Sequence, residues 1–306
     1  MDRPRVVVVG SSNTDMILNV GRIPRPGETL LGGRFAMAAG GKGANQAVGA
    51  ARAGGKVAFV ARVGADPFGD RAMAGFRADG IDTGFIVRDR RRPSGVALIF
   101  VAGNGENAIA VAPGANGALS SADVRRAEKT IAAAAALVMP LETPLAAVRI
   151  AASLAARHGV PVILNPAPAR PLPDDLLRLV AILTPNESEA ELLTGIRVDG
   201  DAAAARAAGR LLDRGVRAVI LTLGRRGAFV AAEGIRTRVP GFRVRAVDTT
   251  AAGDIFNGAL AVALAENRRL LEAVRFANAA AALSVMRPGA QPSAPRRPEI
   301  ERLLAR

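Results

Sequence analysis

From Ser120 onward, short apolar runs alternate with alanine-rich helical segments. Residues 136–139, 160–164, 181–184 and 218–223 read as strands. Ser121 reads as the cap of a helix to about residue 134, and further helices cover 144–157 and 202–212, with another starting at Asn186-Glu187-Ser188-Glu189. Runs too apolar to face water on either side, separated by helices, imply an α/β fold with a doubly wound, mostly parallel central sheet flanked by helices. The chain begins in the same way, with strands at 5–10 and 56–63 and helices after Gly40-Gly41 and over 68–79. Residues 14–38 and 94–112 break the pattern: half-exposed strand-like segments at 16–20, 29–38, 94–101 and 107–112 group as a small separate β-sheet. Near the end come a hairpin (228–232 and 235–239), a strand-like stretch at 244–247, helices at 254–266 and 270–286, and a short helix from about Pro298. With no long linker, the expectation is one domain over 1–306 bearing a small β appendage.

Composition removes several classes of function. The 306 residues contain no cysteine, which excludes disulfides, thiolate metal sites and cysteine nucleophiles. The single histidine, His158, ends a helical stretch before Gly159 and reads as a C-terminal helix cation. The formal net charge of +14 raises nucleic acid as a partner, but the arginines are spread along the chain and there is no Trp or Tyr to stack a base. No nucleic-acid partner is expected. No apolar run reaches the ~18 residues that span a bilayer. Arg3 and Arg5 precede an apolar run too short for a signal-peptide core, so a cytoplasmic protein with no membrane partner is expected.

Two glycine-containing turns stand out. Asp248-Thr249-Thr250-Ala251-Ala252-Gly253-Asp254 leads into an apolar helix. Small residues let a ligand approach the free N–H groups of a helix start, which favour anions and phosphate above all. Asp254 reads either as an ordinary first-turn acid or as a base that takes a proton from a hydroxyl attacking a phosphoryl group held there. Gly40-Gly41-Lys42-Gly43-Ala44-Asn45 opens another helix, and it is not a Walker A turn, because no Ser or Thr follows the lysine. Lys42 is one of only three lysines among 41 basic residues, which points to a need for a compact point charge. Asn13, Asp15, Glu142, Asn186, Thr222 and Asp254 all fall at carboxyl ends of strands, where open α/β sheets bind ligands.

These motifs resemble, in order and over nearly the whole chain, those of the ribokinase-like (phosphofructokinase-B type) carbohydrate kinases. The two turns resemble the family's N- and C-terminal signatures, and Asn165-Pro166-Ala167-Pro168-Ala169, Thr184-Pro185-Asn186-Glu187-Ser188-Glu189, Thr222-Leu223-Gly224 and Gly289-Ala290-Gln291-Pro292-Ser293 match further pieces. The resemblance implies ATP-dependent phosphorylation of D-ribose at its 5-hydroxyl. Asp254 would be the base, and Ala251, Ala252 and Gly253 the anion hole. Asn13, Asp15, Gly41, Lys42, Asn45 and Glu142 would grip the sugar. The nucleotide would meet Asn186, Thr222, Gly224, Gly227, Gly253 and Asn278, with Glu189 associated with Mg²⁺. A monovalent cation, K⁺ by expectation, would draw on Asp248, Thr250, Ser284, Arg287, Gly289 and Ser293. Thr250, Ser284, Met286 and Pro288 fall where the family varies, near that cation loop. The small sheet would be a lid over the sugar and the contact of a homodimer.

Rival readings are a related kinase acting on deoxyribose, fructose or a nucleoside, and a sugar-binding regulator without catalysis. The lack of Tyr and Trp speaks against a nucleoside. The intact Gly253-Asp254 pair speaks against a pure binder, which needs no base.

Overall fold

Four consecutive valines, Val6 to Val9, are fully buried and form the middle of the molecule. The computed structural model describes residues 5–306; Arg3 lies outside them. In chain order the strands are β1 (Arg5–Val9), β2 (Asn13–Val20), β3 (Arg34–Gly40), β4 (Lys56–Gly64), β5 (Ile86–Asp89), β6 (Gly95–Ala102), β7 (Asn107–Ala112), β8 (Ala136–Met139), β9 (Val162–Leu164), β10 (Ile182–Leu183), β11 (Ala218–Thr222), β12 (Ala228–Ala232) and β13 (Ile235–Val239). The helices are α1 (Lys42–Arg52), α2 (Pro67–Ala78), α3 (Ser121–Arg125), α4 (Glu128–Ala132), α5 (Leu145–Arg157), α6 (Asp174–Leu177), α7 (Glu187–Thr194), α8 (Asp201–Asp213), α9 (Ala252–Ala265), α10 (Leu270–Ser284) and α11 (Arg297–Leu304).

The main sheet has nine strands in the order β13-β12-β11-β10-β9-β8-β1-β4-β5. All pairings from β11 to β5 are parallel, and β12 and β13 close one edge as an antiparallel hairpin. The period-2 pleat splits the valines of β1 between two cores. Val6 and Val8 face α1, α2, α9, α10 and α11, while Val7 and Val9 face α3 to α8. The chain leaves β1 toward β4 and β5, then returns to β8 on the other side of β1. That reversal opens a crevice at the carboxyl ends of β1 and β8.

A second, four-stranded sheet has the order β3-β2-β6-β7, with β2 and β6 parallel. One of its faces leaves Phe35, Met37 and Leu98 exposed, and the other, which bears Asp15, leaves Ile109 and Val111 exposed. Asn13 and Asp15 belong to its strand β2 rather than to a loop beyond β1. Strand β3 starts later than the expected segment at 29–38, because Gly32 and Gly33 take positive φ of 102° and 106° and end any extended run there.

Other departures are local. The expected strand at 244–247 is irregular: the Val247 and Asp248 N–H groups donate to the Val285 carbonyl at the end of α10 instead of joining a ladder. Ser120, not Ser121, caps α3, and the expected helix to 134 breaks into α3 and α4. Pro144 is the cap of α5 and not its first turn. The short elements β5 and α6 carry too few residues to show a period. His158 caps α5 as expected, with its imidazole 3.4 Å from Glu128.

What brings the two signature turns together is close packing of α1 on α9. A Cβ on Gly258 would lie 2.5 Å from the Gln46 carbonyl oxygen and 2.6 Å from the Ala50 nitrogen. Gly258→Ala must therefore push the helices apart. Urea denaturation is expected to show a loss of about 1–3 kcal/mol, the usual cost of overpacking. Wild-type stability in that variant would mean that the helices can separate freely.

Candidate functional site

Gly41 starts α1 with φ of 87°, and a Cβ there would meet the Asn13 nitrogen at 2.6 Å. Only glycine lets the start of α1 pass that close to the base of β2. The Lys42 N–H donates to Glu142 Oε2 at 2.9 Å, and Ser11 Oγ donates to the same oxygen at 2.5 Å. Three segments, following β1, β3 and β8, thus meet at one carboxylate. Asn116, in the turn after β7, accepts from the Ser12 N–H at 2.9 Å and donates to Asn13 Oδ1 at 2.7 Å. Asn13 Oδ1 is thereby occupied, leaving its amide N–H group as the part to offer a ligand.

Asp254 lies in the first turn of α9 and is 5% exposed. Its Oδ2 accepts from Asn45 Nδ2 at 3.0 Å and its Oδ1 from Gln46 Nε2 at 3.1 Å. Burial raises its pKa, against the pull of Lys42 and the two amides, with Glu142 adding to the rise. Just before it, Ala251 takes a left-handed φ of 60°, rare for a residue with a Cβ. That backbone turn carries the chain from the loop into α9 with Ala251, Ala252 and Gly253 lining a cleft. Lys42, Asn186, Glu189, Thr222 and Asp254 line the same cleft, as do Asn165, Thr184 and Asn257.

The Lys42 ammonium is buried among Asp254, Glu142, Glu189 and Asp15, and they raise its pKa against the effect of burial. Asp15 is pushed up to about 6, chiefly by burial, then by Glu142 and, more weakly, Asp254, while Lys42 opposes them. Burial also raises Glu189, which the Asn186 N–H and Lys42 partly counter.

Not every expected residue reaches the cleft. Asn186 and Glu189 line it and also form the capping box of α7, so their polar atoms already have partners. Gly224 and Gly227 flank the turn after β11, outside the cleft's lining, and Gly227 packs against β13. Asn278 Nδ2 donates to the carbonyls of Val239 and Pro240, both at 3.2 Å, and ties α10 to the end of β13. In the expected cation set, Asp248 accepts from the N–H groups of Thr250 at 2.9 Å and Gly289 at 2.8 Å. These contacts and the Thr250 side chain hold its carboxyl below the usual range although burial works the other way. Ser284 and Ser293 hydroxyls turn to the carbonyls of Ala281 and Ala290, and Arg287 pairs with Glu299. Arg287 can offer a cation only its backbone oxygen. Ser11, Gln46, Asn116, Asn165, Thr184 and Asn257 were not singled out as site residues in the sequence. Asn165 and Thr184 did lie in two of the matching motifs at strand ends, which is a usable signal; Asn116 had none.

A comparison with known families matches residues 3–297 to the pfkB family carbohydrate kinases. The chain belongs to that family. A ribokinase of Haemophilus influenzae is 48% identical over 297 residues, covering 97% of each chain. A deoxyribokinase of Salmonella typhimurium is 38% identical, covering 95% of each. Among solved structures, Arabidopsis thaliana ribokinase complexed with ribose and ATP superposes with a TM-score of 0.91 at 33% identity, covering 99% of each chain. The family's α/β fold with a small second sheet is thus the fold of this chain.

The raised pKa of Asp15 has a measurable consequence. An acid that titrates at about 6 when folded and at 3.8 in the open chain is disfavoured as an anion by the fold. Stability is then lost as pH rises through that window, by up to about 3 kcal/mol for a shift of two units. Asp15→Asn is expected to stabilise the protein at pH 8 and to leave it nearly unchanged at pH 4, read by urea denaturation at both. An equal effect at both pH values would show that the carboxyl is not under this strain.

Proposed function

We propose that the chain catalyses phosphorylation of D-ribose at its 5-hydroxyl by ATP, giving D-ribose 5-phosphate and ADP. The observation that carries this reading is Asp254, a buried carboxylate in the first turn of α9, between the glycine turn bearing Lys42 and the small residues 251–253. Its carboxylate accepts the 5-hydroxyl proton as the sugar oxygen bonds to the γ-phosphorus, and the bond to the β-phosphate breaks with its electrons leaving on ADP. The N–H groups at the start of α9 hold the transferred phosphoryl group. Asn13, Asp15, Gly41, Lys42, Asn45 and Glu142 grip the sugar, whose hydroxyls need donors and acceptors together. Asn186, Thr222, Gly224, Gly227 and Gly253 meet the nucleotide. For Asn278 we propose only an indirect part, through the end of β13 that it holds.

Magnesium fits a cleft of this kind. Among the described residues no three His, Cys, Asp or Glu side chains group as a metal cage. Glu189, with Asn186 beside it, is left to meet an ion held mostly by phosphate oxygens and water. When bound, Mg²⁺ would neutralise charge on the phosphates. A monovalent cation, K⁺ by our reading, fits the loop of Asp248, Thr250 and Gly289 against the C-terminal end of α10, where the helix dipole favours positive charge. Ser284, Arg287 and Ser293 would add carbonyl oxygens.

We read residues 1–306 as one kinase domain and the sheet β3-β2-β6-β7 as a lid over the sugar. Its exposed apolar face with Phe35, Met37 and Leu98, opposite the face that bears Asp15, is the face we assign to a homodimer. No helix among the described residues is long and apolar enough to cross a membrane. We place the enzyme in the cytoplasm, with ATP as donor.

Deoxyribose is the second reading, favoured by the Salmonella relative. A panel of ribose, deoxyribose, fructose and adenosine, assayed by coupled ADP detection with and without K⁺, separates the two. Ribose is expected to be the best acceptor, and a higher kcat/KM on any other member sinks the ribose reading. Asp254→Asn is expected to lower kcat by about 10²–10⁴, the usual worth of a general base, with ATP binding retained. Near wild-type turnover in that variant would remove the base from Asp254.

A further inference from the structure

Beneath the cleft runs a buried circuit of amides. Asn165 Nδ2 donates to the Thr184 carbonyl at 3.1 Å, and a carbonyl can only accept. That fixes the Asn165 amide and turns its Oδ1 toward Gln46, whose Nε2 lies 3.2 Å away. Gln46 must therefore present its NH₂ group, and the second proton of that group goes to Asp254 Oδ1 at 3.1 Å. The circuit continues from Thr184 Oγ1 to Asn257 Oδ1 at 2.7 Å, and from Asn257 Nδ2 to the Gly253 carbonyl at 2.7 Å. Gly253 is bonded to Asp254, so the path closes on itself. It joins α1, the ends of β9 and β10, and the first turn of α9.

Gln46 is fully buried, and its Oε1 has no partner. A buried amide with an unpaired carbonyl is a poor choice for stability alone, since an apolar side chain of the same shape avoids that cost. Both of its protons face acceptors, and one of these is the carboxylate at the centre of the site.

We propose that Gln46, held by Asn165, is a positioning residue for the reaction: it fixes the Asp254 carboxylate in its proton-accepting orientation and favours its ionised form. The inference rests on the reading of Asp254 as the base. The groups whose charge acts on that carboxylate are Lys42 from α1, Glu142 after β8, Glu189 from α7 and Asp15 from β2. Only Lys42 favours its ionised form, so loss of a neutral donor is not made good by a second cation. Gln46 touches neither substrate in this scheme, and Asn45 holds the other carboxylate oxygen.

Gln46→Met keeps the unbranched shape and removes both donors. The expected result is a lower kcat at neutral pH, an acid limb of the kcat profile moved up by about one pH unit, the scale of one lost hydrogen bond to a charged group, and partial recovery at high pH. KM for ribose and for ATP should stay within about threefold, since a group that acts only on the base does not bind ground-state substrate. Asn165→Ser leaves Gln46 in place but frees it, and should move the limb in the same direction by less. An unshifted limb in Gln46→Met, or a raised ribose KM with unchanged kcat, overturns the proposal. If Gln46→Met does not fold, an unshifted limb in Asn165→Ser overturns it alone. Asp254→Asn separates the two levels: if that variant turns over normally, the base assignment fails, and if it is inactive while the Gln46 profile is unshifted, only the present inference fails.

Discussion

The Lys42 ammonium sits buried among Asp15, Glu142, Glu189 and Asp254, and the site depends on that one charge. Carboxylates taken out of water prefer to bind protons, and Asp15, Glu189 and Asp254 are all displaced that way by burial. Lys42 is the common opposing influence on these three. Without it the balance of the cluster would move further toward the protonated forms. The ammonium is also what makes a chain so rich in arginine keep a lysine here. A compact charge can stand between several carboxylates, whereas a planar guanidinium is shaped to pair with one.

The backbone holds that charge in place. Glu142 accepts the Lys42 N–H itself, so the helix start and not merely the side chain is fixed to the end of β8. Gly41 allows α1 to begin against Asn13, and Gly258 allows α9 to lie against α1. Both contacts have backbone against backbone, where even a methyl group has no room. The reversal of the sheet between β1 and β8 then supplies the crevice. Scaffold and site are linked through close approaches that cost the fold little and are hard to replace.

Much of this was legible in the sequence because the signals were local. The alternation of apolar runs with helices gave the layered sheet, and three of its strands, 136–139, 228–232 and 235–239, match their expected bounds. The two small-residue turns and the rare lysine are local signals that point at the cleft. What stayed hidden is long-range or backbone-dependent. Gln46 meets Asp254 across 208 positions, and Asn116 meets Asn13 across 103, with no local pattern to announce either. The stretch at 244–247 has strand-like composition, but the sheet already ends at β13 and the Val247 N–H donates to the end of α10 instead. Asn278 carries a family-like position, yet its amide is spent on the backbone at the end of β13.

The charge balance of the site bears on the order of events within it. Lys42 contributes one positive charge and Asp15, Glu142, Glu189 and Asp254 four negative, a balance of 1 − 4 = −3 when all are ionised. A polyphosphate approaching such a cluster is repelled, although the protein as a whole carries +14 and draws anions from a distance. The helix N–H groups at 251–254 offset only part of that repulsion, since a helix terminus amounts to roughly half a charge. On the proposed function, a divalent cation travelling with the nucleotide would remove the rest. The sparse metal ligation of this cleft and its excess of carboxylates would then be two sides of one arrangement, in which the nucleotide's own ion would supply the positive charge the protein withholds.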